Sequence, residues 1–183
     1  MREPIGASRS LLVLRDGEEW EARIRLVPYP LELPSLPGPP ELGQPAPPLD
    51  LTLLADAEPP RADEPRLLFF FATWCHSCER ALPELAAFSR AQGIPVVAIT
   101  DEDEGAVERF AEAHAGLLPS RVATDRRREH FRRYGVSGTP TFVFVDGAGV
   151  VRHFQVGYDP RKGIDVEGWR WAERVSDGTE GSD

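Results

Sequence analysis

The sequence predicts an α/β protein: a mixed central sheet flanked by helices, preceded by an N-terminal β-hairpin extension. Three observations predict it. Leu67–Phe71 (LLFFF) and Ile94–Thr100 (IPVVAIT) are continuous apolar runs, as expected of strands buried on both faces. Each is followed by a segment with apolar residues at helical spacing. Further on, Thr141–Val145 (TFVFV), a turn at Asp146–Gly149 and Val150–Val156 read as a hairpin. Alternation first and a hairpin afterwards imply parallel and antiparallel pairs in one sheet.

Residues 10–27 read as the extension. Leu11–Leu14 is one short run, Asp16-Gly17 a turn, and Glu19–Leu26 a second run in which Trp20, Ala22, Ile24 and Leu26 alternate with polar residues. That is the period of a half-buried strand. A hairpin alone is not stable in water, so it is expected to dock on the main domain or on another chain. Residues 28–48 are dense in proline, which lacks an amide donor, and read as an extended linker. A ligand for a proline-binding module is the sharper reading, but linkers are the commoner use of this composition. The expected organisation is a hairpin extension over 1–27, a linker over 28–48, the main domain over 49–175 and a polar, disordered tail over 176–183.

Within the main domain, Leu49–Leu54 is expected as a leading strand and Asp56–Pro65 as a loop. A helix runs from about Cys78 to Gln92, with Leu82, Leu85, Ala86 and Phe88 on its apolar side and Gly93 as its stop. Asp103–Ala115 is helical, with Val107, Phe110, Ala111 and His114 at helical spacing, and Arg121–Ala123 is a short edge strand. Asp125 caps a helix running to Tyr134. A last helix is expected over Val166–Arg174; it carries Trp169 and Trp171 on opposite sides, so both need a covering surface.

The bulk numbers exclude several function classes. The 183 residues are 41% hydrophobic and 28% charged, ordinary for a globular chain, and the formal net charge is −9. Phosphate binding needs a surplus of Lys and Arg on one face, so nucleic acid is not an expected partner. No apolar run approaches the length of a membrane span. Met1-Arg2-Glu3-Pro4 does not open a signal peptide and Leu11–Leu14 is too short for a signal core, so the chain as it begins is expected to be cytoplasmic. A start codon further upstream could add an export signal.

The chemistry rests on two cysteines three positions apart, in Trp74-Cys75-His76-Ser77-Cys78, where a buried strand hands over to a helix. A bridge between them closes a tiny loop and contributes only about 2 kcal/mol by chain entropy, which makes it chemical rather than architectural. At a helix start the unpaired amides and the dipole favour an anion, so the first thiol loses its proton more easily. The thiolate is the species that attacks disulfides. Cys75 is then the nucleophile and Cys78, deeper on the helix, resolves the mixed disulfide. C-x-x-C near a βαβ pattern is a fairly specific redox signal.

The run FATWCHSCERALPEL resembles the active-site stretch of the thioredoxin-like proteins, with a Trp before the first Cys and Pro83 five residues after the second. The run GVSGTPTFVFVDGAG resembles their second signature. The resemblance implies a thioredoxin-like fold, a cis Thr139–Pro140 bond facing the cysteines, and a substrate-binding surface that includes Trp74, His76, Thr139 and Pro140. Gly157-Tyr158 is similar to the loop that borders the substrate groove. Together with GQPAPPLDL (Gly43–Leu51) the spacing looks most like the TlpA-like, or redoxin, branch, over about Gly43 to Arg174. The implied activity is thiol–disulfide exchange with protein or low-molecular-weight disulfides and dithiols, without a cofactor; the sequence names no electron donor or acceptor and no direction of flow.

Two positions depart from the family. Thioredoxins carry a buried Asp six residues before the first cysteine, where this chain has Phe69; many TlpA-like proteins carry a Glu three residues after the second, where it has Ala81. Either carboxylate would help deprotonate the resolving thiol. Glu79 is expected to point elsewhere, so proton transfer at Cys78 is slow or uses water. His76 is either a solvated loop residue or, as a cation, a group that makes the disulfide more oxidising.

His114, His130 and His153 match no zinc spacing with the cysteines, and no metal site is expected. Arg126, Arg127, Arg128, Arg132 and Arg133 read as a solvated basic face with Glu129–Arg133 as an i,i+4 pair, or as a docking surface for an acidic partner. Nothing around Cys75 shows the Pro, Thr and Cys arrangement of peroxiredoxins. The competing reading of the whole chain is a thioredoxin-fold binding module that docks a partner through its hairpin with little redox turnover.

Overall fold

The elements in chain order are strands β1 (Ser8–Arg15), β2 (Glu18–Arg25) and β3 (Arg66–Phe70), helix α1 (His76–Gln92), β4 (Val96–Thr100), α2 (Glu104–Ala113), β5 (Arg121–Thr124), α3 (Glu129–Arg133), β6 (Thr141–Val145) and β7 (Val151–Val156). The computed structural model describes residues 6–15, 17–27, 38–54, 57–61 and 63–165. By its contacts the chain divides into two compact units, Met1–Ser35 and Leu36–Asp183. The expected helix over Val166–Arg174 and the tail from Ser176 lie outside the described residues.

The larger unit is built on a five-stranded sheet ordered β5-β4-β3-β6-β7. β3, β4 and β5 are parallel, while β6 is antiparallel to both β3 and β7. Side chains alternate across a strand, and this explains the unbroken apolar runs. Leu67, Phe69 and Phe71 enter the cluster that α1 and α2 cover, whereas Leu68 and Phe70 enter the opposite cluster with Phe131, Tyr134 and Val136. Val96 and Ala98 alternate with Val97 and Ile99 in the same way, as do Phe142 and Phe144 with Val143 and Val145. Each central strand therefore needs apolar residues at every position. Stacked rings of Phe69, Phe71 and Phe142 fill one side, and Phe70 meets Phe131 edge-on on the other.

Several boundaries differ from the sequence reading. Leu49–Leu54 is not a strand: only Leu53 bridges Ala123, and the apolar positions Leu49, Leu51 and Leu53 serve to pack on the sheet. Part of the segment expected as free linker lies along the sheet edge, because Gly43 and Ala46 keep amides between the prolines. These donate to the carbonyls of Val151 and Gly149, and Val151 donates back to Gln44. Residues 28–37 lie outside the described residues. The third helix starts only at Glu129, since the buried Asp125 carboxylate accepts from the amides of Glu129, His130 and Phe131 and uses 126–128 as a turn. Three arginines of the basic cluster are paired outward: Arg133 with Asp50 at 3.5 Å instead of with Glu129, Arg126 with Asp103 at 3.9 Å, and Arg128 with Asp101.

In the smaller unit β1 and β2 pair antiparallel, with Leu11 opposite Ala22 and Val13 opposite Trp20. Within this unit Leu11, Val13, Trp20 and Ile24 are exposed. A two-stranded ribbon supplies no second layer, so the alternation sorts side chains by face without burying them.

Gly135 sits at φ +59°, and a Cβ there would overlap the backbone of Gly38 and Pro39. Gly135→Ala should therefore cost about 2 kcal/mol, seen as a lower urea midpoint with an unaltered slope. An unmoved midpoint would mean that the 38–39 segment does not cross here.

Candidate active site

Strand register brings the site together. Phe70 at the end of β3 lies opposite Thr141 at the start of β6, and Thr141 lies opposite Val156 at the end of β7. Residues just after β3, just before β6 and just after β7 thus share one end of the sheet. There Thr139–Pro140 is cis, the Gly157 amide donates to the Pro140 carbonyl at 2.7 Å, and the thiol of Cys75 lies 3.4 Å from the Thr139 carbonyl oxygen. The chain also crosses from one side of β3 to the other at this end, the switch point where α/β sheets place their ligands.

Cys75 is the N-cap of α1, in extended conformation. Its Sγ accepts a hydrogen bond from the Cys78 amide at 3.3 Å, an amide of the helix-opening turn that also donates to the Cys75 carbonyl at 2.9 Å. Cys75 is 8% exposed and Cys78 0%. Both are free thiols. The Cys78 thiol is pushed up to about 12, first by burial and then by its hydrogen bond to Cys75. The other groups acting on it are Ala72 and Thr139, neither a carboxylate, and Phe69 and Ala81 are both fully buried in its cluster.

The flanks are fixed by carboxylates. Glu102, just beyond β4, accepts from the Thr73 amide at 2.5 Å and the Thr73 hydroxyl at 2.7 Å, which anchors the turn before Cys75. Glu79 does point away from Cys78: one oxygen is 3.2 Å from His114 Nε2 and the other 3.2 Å from His76 Nδ1. These contacts, His114 first, hold its carboxyl below the usual range. His76 and Trp74 are each 78% exposed beside the nucleophile. On the other side, Glu84 of α1 accepts from the Tyr158 hydroxyl and the Ile164 amide, both at 2.8 Å.

All six residues expected at the site, Trp74, Cys75, His76, Cys78, Thr139 and Pro140, fall at or beside this one end of the sheet. The three other histidines do not join them as a set: His114 lies on Glu79, His130 is buried and accepts from the Asp50 amide, and His153 pairs with Asp165. Sequence reasoning missed Glu84 and Glu102, because a polar residue on a helix face or past a strand looks solvated until its partner is brought in from elsewhere.

This architecture and this end of the sheet define the thioredoxin-like class, in its redoxin or TlpA-like branch. The chain belongs to the AhpC/TSA family, whose profile matches residues 43–154. It is 34% identical over 94 residues to the thiol-disulfide oxidoreductase ResA of Geobacillus thermodenitrificans, covering 49% of this chain and 53% of that protein. It is 30% identical over 148 residues to the thiol:disulfide interchange protein DsbE of Pseudomonas aeruginosa, covering 77% of this chain and 76% of that one. The chain thus spans about half the length of the first of these relatives and three quarters of the second. A Chlorobium tepidum crystal structure described as a thiol:disulfide interchange protein DsbE superposes with a TM-score of 0.60 at 28% identity, over 72% of this chain and 97% of that one. The fold alone is shared with a thio-disulfide isomerase from Thermus thermophilus, at TM-score 0.55 and 22% identity, over 72% of this chain and 96% of that one. No helix among the described residues is long and apolar enough to cross a membrane.

The Cys78 proton is bound more tightly in the folded than in the unfolded chain, where the thiol has its ordinary value of 9.0. Its contribution to stability is complete below pH 9 and is lost as pH rises toward 12. The reduced protein should lose stability over that window more steeply than the disulfide form, which has no such proton. Parallel pH–stability curves for the two forms would contradict this.

Proposed function

We propose that the chain is a thiol–disulfide oxidoreductase that exchanges a Cys75–Cys78 dithiol or disulfide with disulfides or dithiols of proteins or small molecules. One observation carries the reading: a sulfur at the helix cap receives a backbone amide in a residue that keeps 8% exposure, while its partner three residues on has 0%. Cys75 as thiolate attacks one sulfur of a substrate disulfide, forming a mixed disulfide and expelling a substrate thiolate. Cys78 then loses its proton and its sulfur attacks Cys75 Sγ, which expels the second substrate thiolate and closes the Cys75–Cys78 bridge. The substrate gains two electrons and, with solvent, two protons; a dithiol donor restores the pair, and the reverse sequence oxidises a substrate dithiol.

Trp74, His76, Thr139 and Pro140 form the substrate-binding surface in this reading. The Trp74 ring is open to solvent, and the Thr139 carbonyl flanks the nucleophile. The chemistry uses two sulfurs and no cofactor. With no carboxylate among the described residues acting on Cys78, its proton leaves to water that enters with the substrate. In a reducing cytoplasm the pair would stand as a dithiol and donate electrons; in an oxidising compartment the balance reverses.

Insulin reduction with dithiothreitol as donor tests the proposal. The intact chain should accelerate it, Cys75→Ser should abolish the effect, and Cys78→Ser should accumulate a mixed disulfide with insulin, visible as added mass. Activity in neither the intact chain nor Cys75→Ser would instead leave a binding module. If His76 makes the pair more oxidising, His76→Ala should lower the reduction potential by about 30 mV, tenfold in the exchange equilibrium. An unchanged potential would leave His76 a solvated residue whose partner is Glu79.

A further inference from the structure

We propose that Glu84 is a positioning residue for substrate recognition: its carboxylate clips both ends of the 157–165 loop to the helix that carries Cys78, and so holds the groove wall beside Pro140 against which an extended segment of a protein disulfide lies. The inference rests on the oxidoreductase reading above and goes beyond it by separating protein from small-molecule substrates.

The loop is fastened at three places. Its first residue, Gly157, donates to the carbonyl of Pro140, next to the nucleophile. Tyr158, one residue on, donates its hydroxyl to one Glu84 oxygen, and Ile164 near the far end donates its amide to the other. Between these points the loop closes on itself, with the amides of Lys162 and Gly163 both donating to the Asp159 carbonyl. Gln155 braces it from β7 through the carbonyls of Gly157 and Gly163 and the Asp165 amide.

Both donors that meet Glu84 come from the loop, and an ionised carboxylate offers two acceptor oxygens to match them. Gly163 leaves the carboxylate its space: φ is +74°, and a Cβ there would strike Glu84. Ile164 is buried in the apolar cluster that holds both cysteines, and Tyr158 packs against that cluster from its edge. A small disulfide needs contact with the Cys75–Cys78 pair alone. A protein disulfide must also lay its flanking chain along the surface from Pro140 to this loop, so displacing the wall penalises it selectively.

The test compares insulin with hydroxyethyl disulfide under one dithiol donor, using the full chain, Glu84→Ala, Glu84→Gln and Tyr158→Phe. For Glu84→Ala the ratio of kcat/KM on insulin to that on hydroxyethyl disulfide should fall about tenfold, through KM rather than kcat. Tyr158→Phe, which removes one hydroxyl, should lower it about threefold. Glu84→Gln should restore most of the ratio, since its oxygen can accept from Ile164 and its amide can donate to the Tyr158 hydroxyl oxygen. Equal losses on both substrates, or Glu84→Gln as impaired as Glu84→Ala, would overturn the proposal. If Glu84→Ala does not fold, an unchanged ratio in Tyr158→Phe overturns it alone. An intact chain inert on both substrates would remove the oxidoreductase reading itself, and this inference with it.

Discussion

Phe70 of β3 lies opposite Thr141 of β6, and the site depends on that pairing. Cys75 reaches the cis Thr139–Pro140 step across 64 residues of chain because the two strand ends that carry them are held side by side by the sheet. The register is held by burial on both faces. A slip of one residue would move each strand by about 3.3 Å and send Phe69 and Phe142 into the wrong cluster, exchanging every inward side chain for an outward one. The aromatic stack of Phe69, Phe71 and Phe142 thus helps to align two loops that it does not belong to.

The same apolar packing gives the two sulfurs their different surroundings. Leu82, Leu85 and Phe88 seat α1 on the sheet, so the first turn of the helix is partly sunk and Cys78 is closed off. Cys75, three residues earlier and capping the helix, keeps a small exposure. Phe69 and Ala81 extend the apolar wall around Cys78 where relatives of the wider class place carboxylates, and the raised thiol follows from that burial. Acidic groups are instead used around the rim. Glu79, Glu84 and Glu102 each hold a different segment: the histidines, the 157–165 loop and the turn before Cys75.

Much of the fold was legible because continuous apolar runs and helical spacing are local signals. The strands of the larger unit and the first two helices lie close to where periodicity puts them, and Gly93 ends α1 in the left-handed conformation expected of a stop. The differences arise where a pattern has two uses. The apolar spacing of Leu49–Leu54 suits a strand or a strap packed on a sheet, and only the short β5 edge with its one bridge at Ala123 distinguishes them. Asp125 is a capping residue by type, but its distance from the helix it caps was set by the Arg126–Arg128 turn and the left-handed Arg128. In the hairpin, alternation marked the two faces, and a lone two-stranded ribbon has no layer of its own to cover either.

Local sequence was enough to determined the chemistry at one point: two cysteines three apart at a strand-to-helix junction, a proline in a Gly-Thr-Pro turn, and the order of strands and helices that carries them. Those features depend on neighbours within a few residues, so they can be read along the chain. Tertiary structure alone decided which distant groups meet that point. Glu102 on Thr73, Glu79 on His114, and Glu84 on Tyr158 and Ile164 all join residues from different elements of the fold. The reason is physical: an exposed-looking carboxylate carries no periodicity, and its partner is chosen by how the sheet brings its ends together.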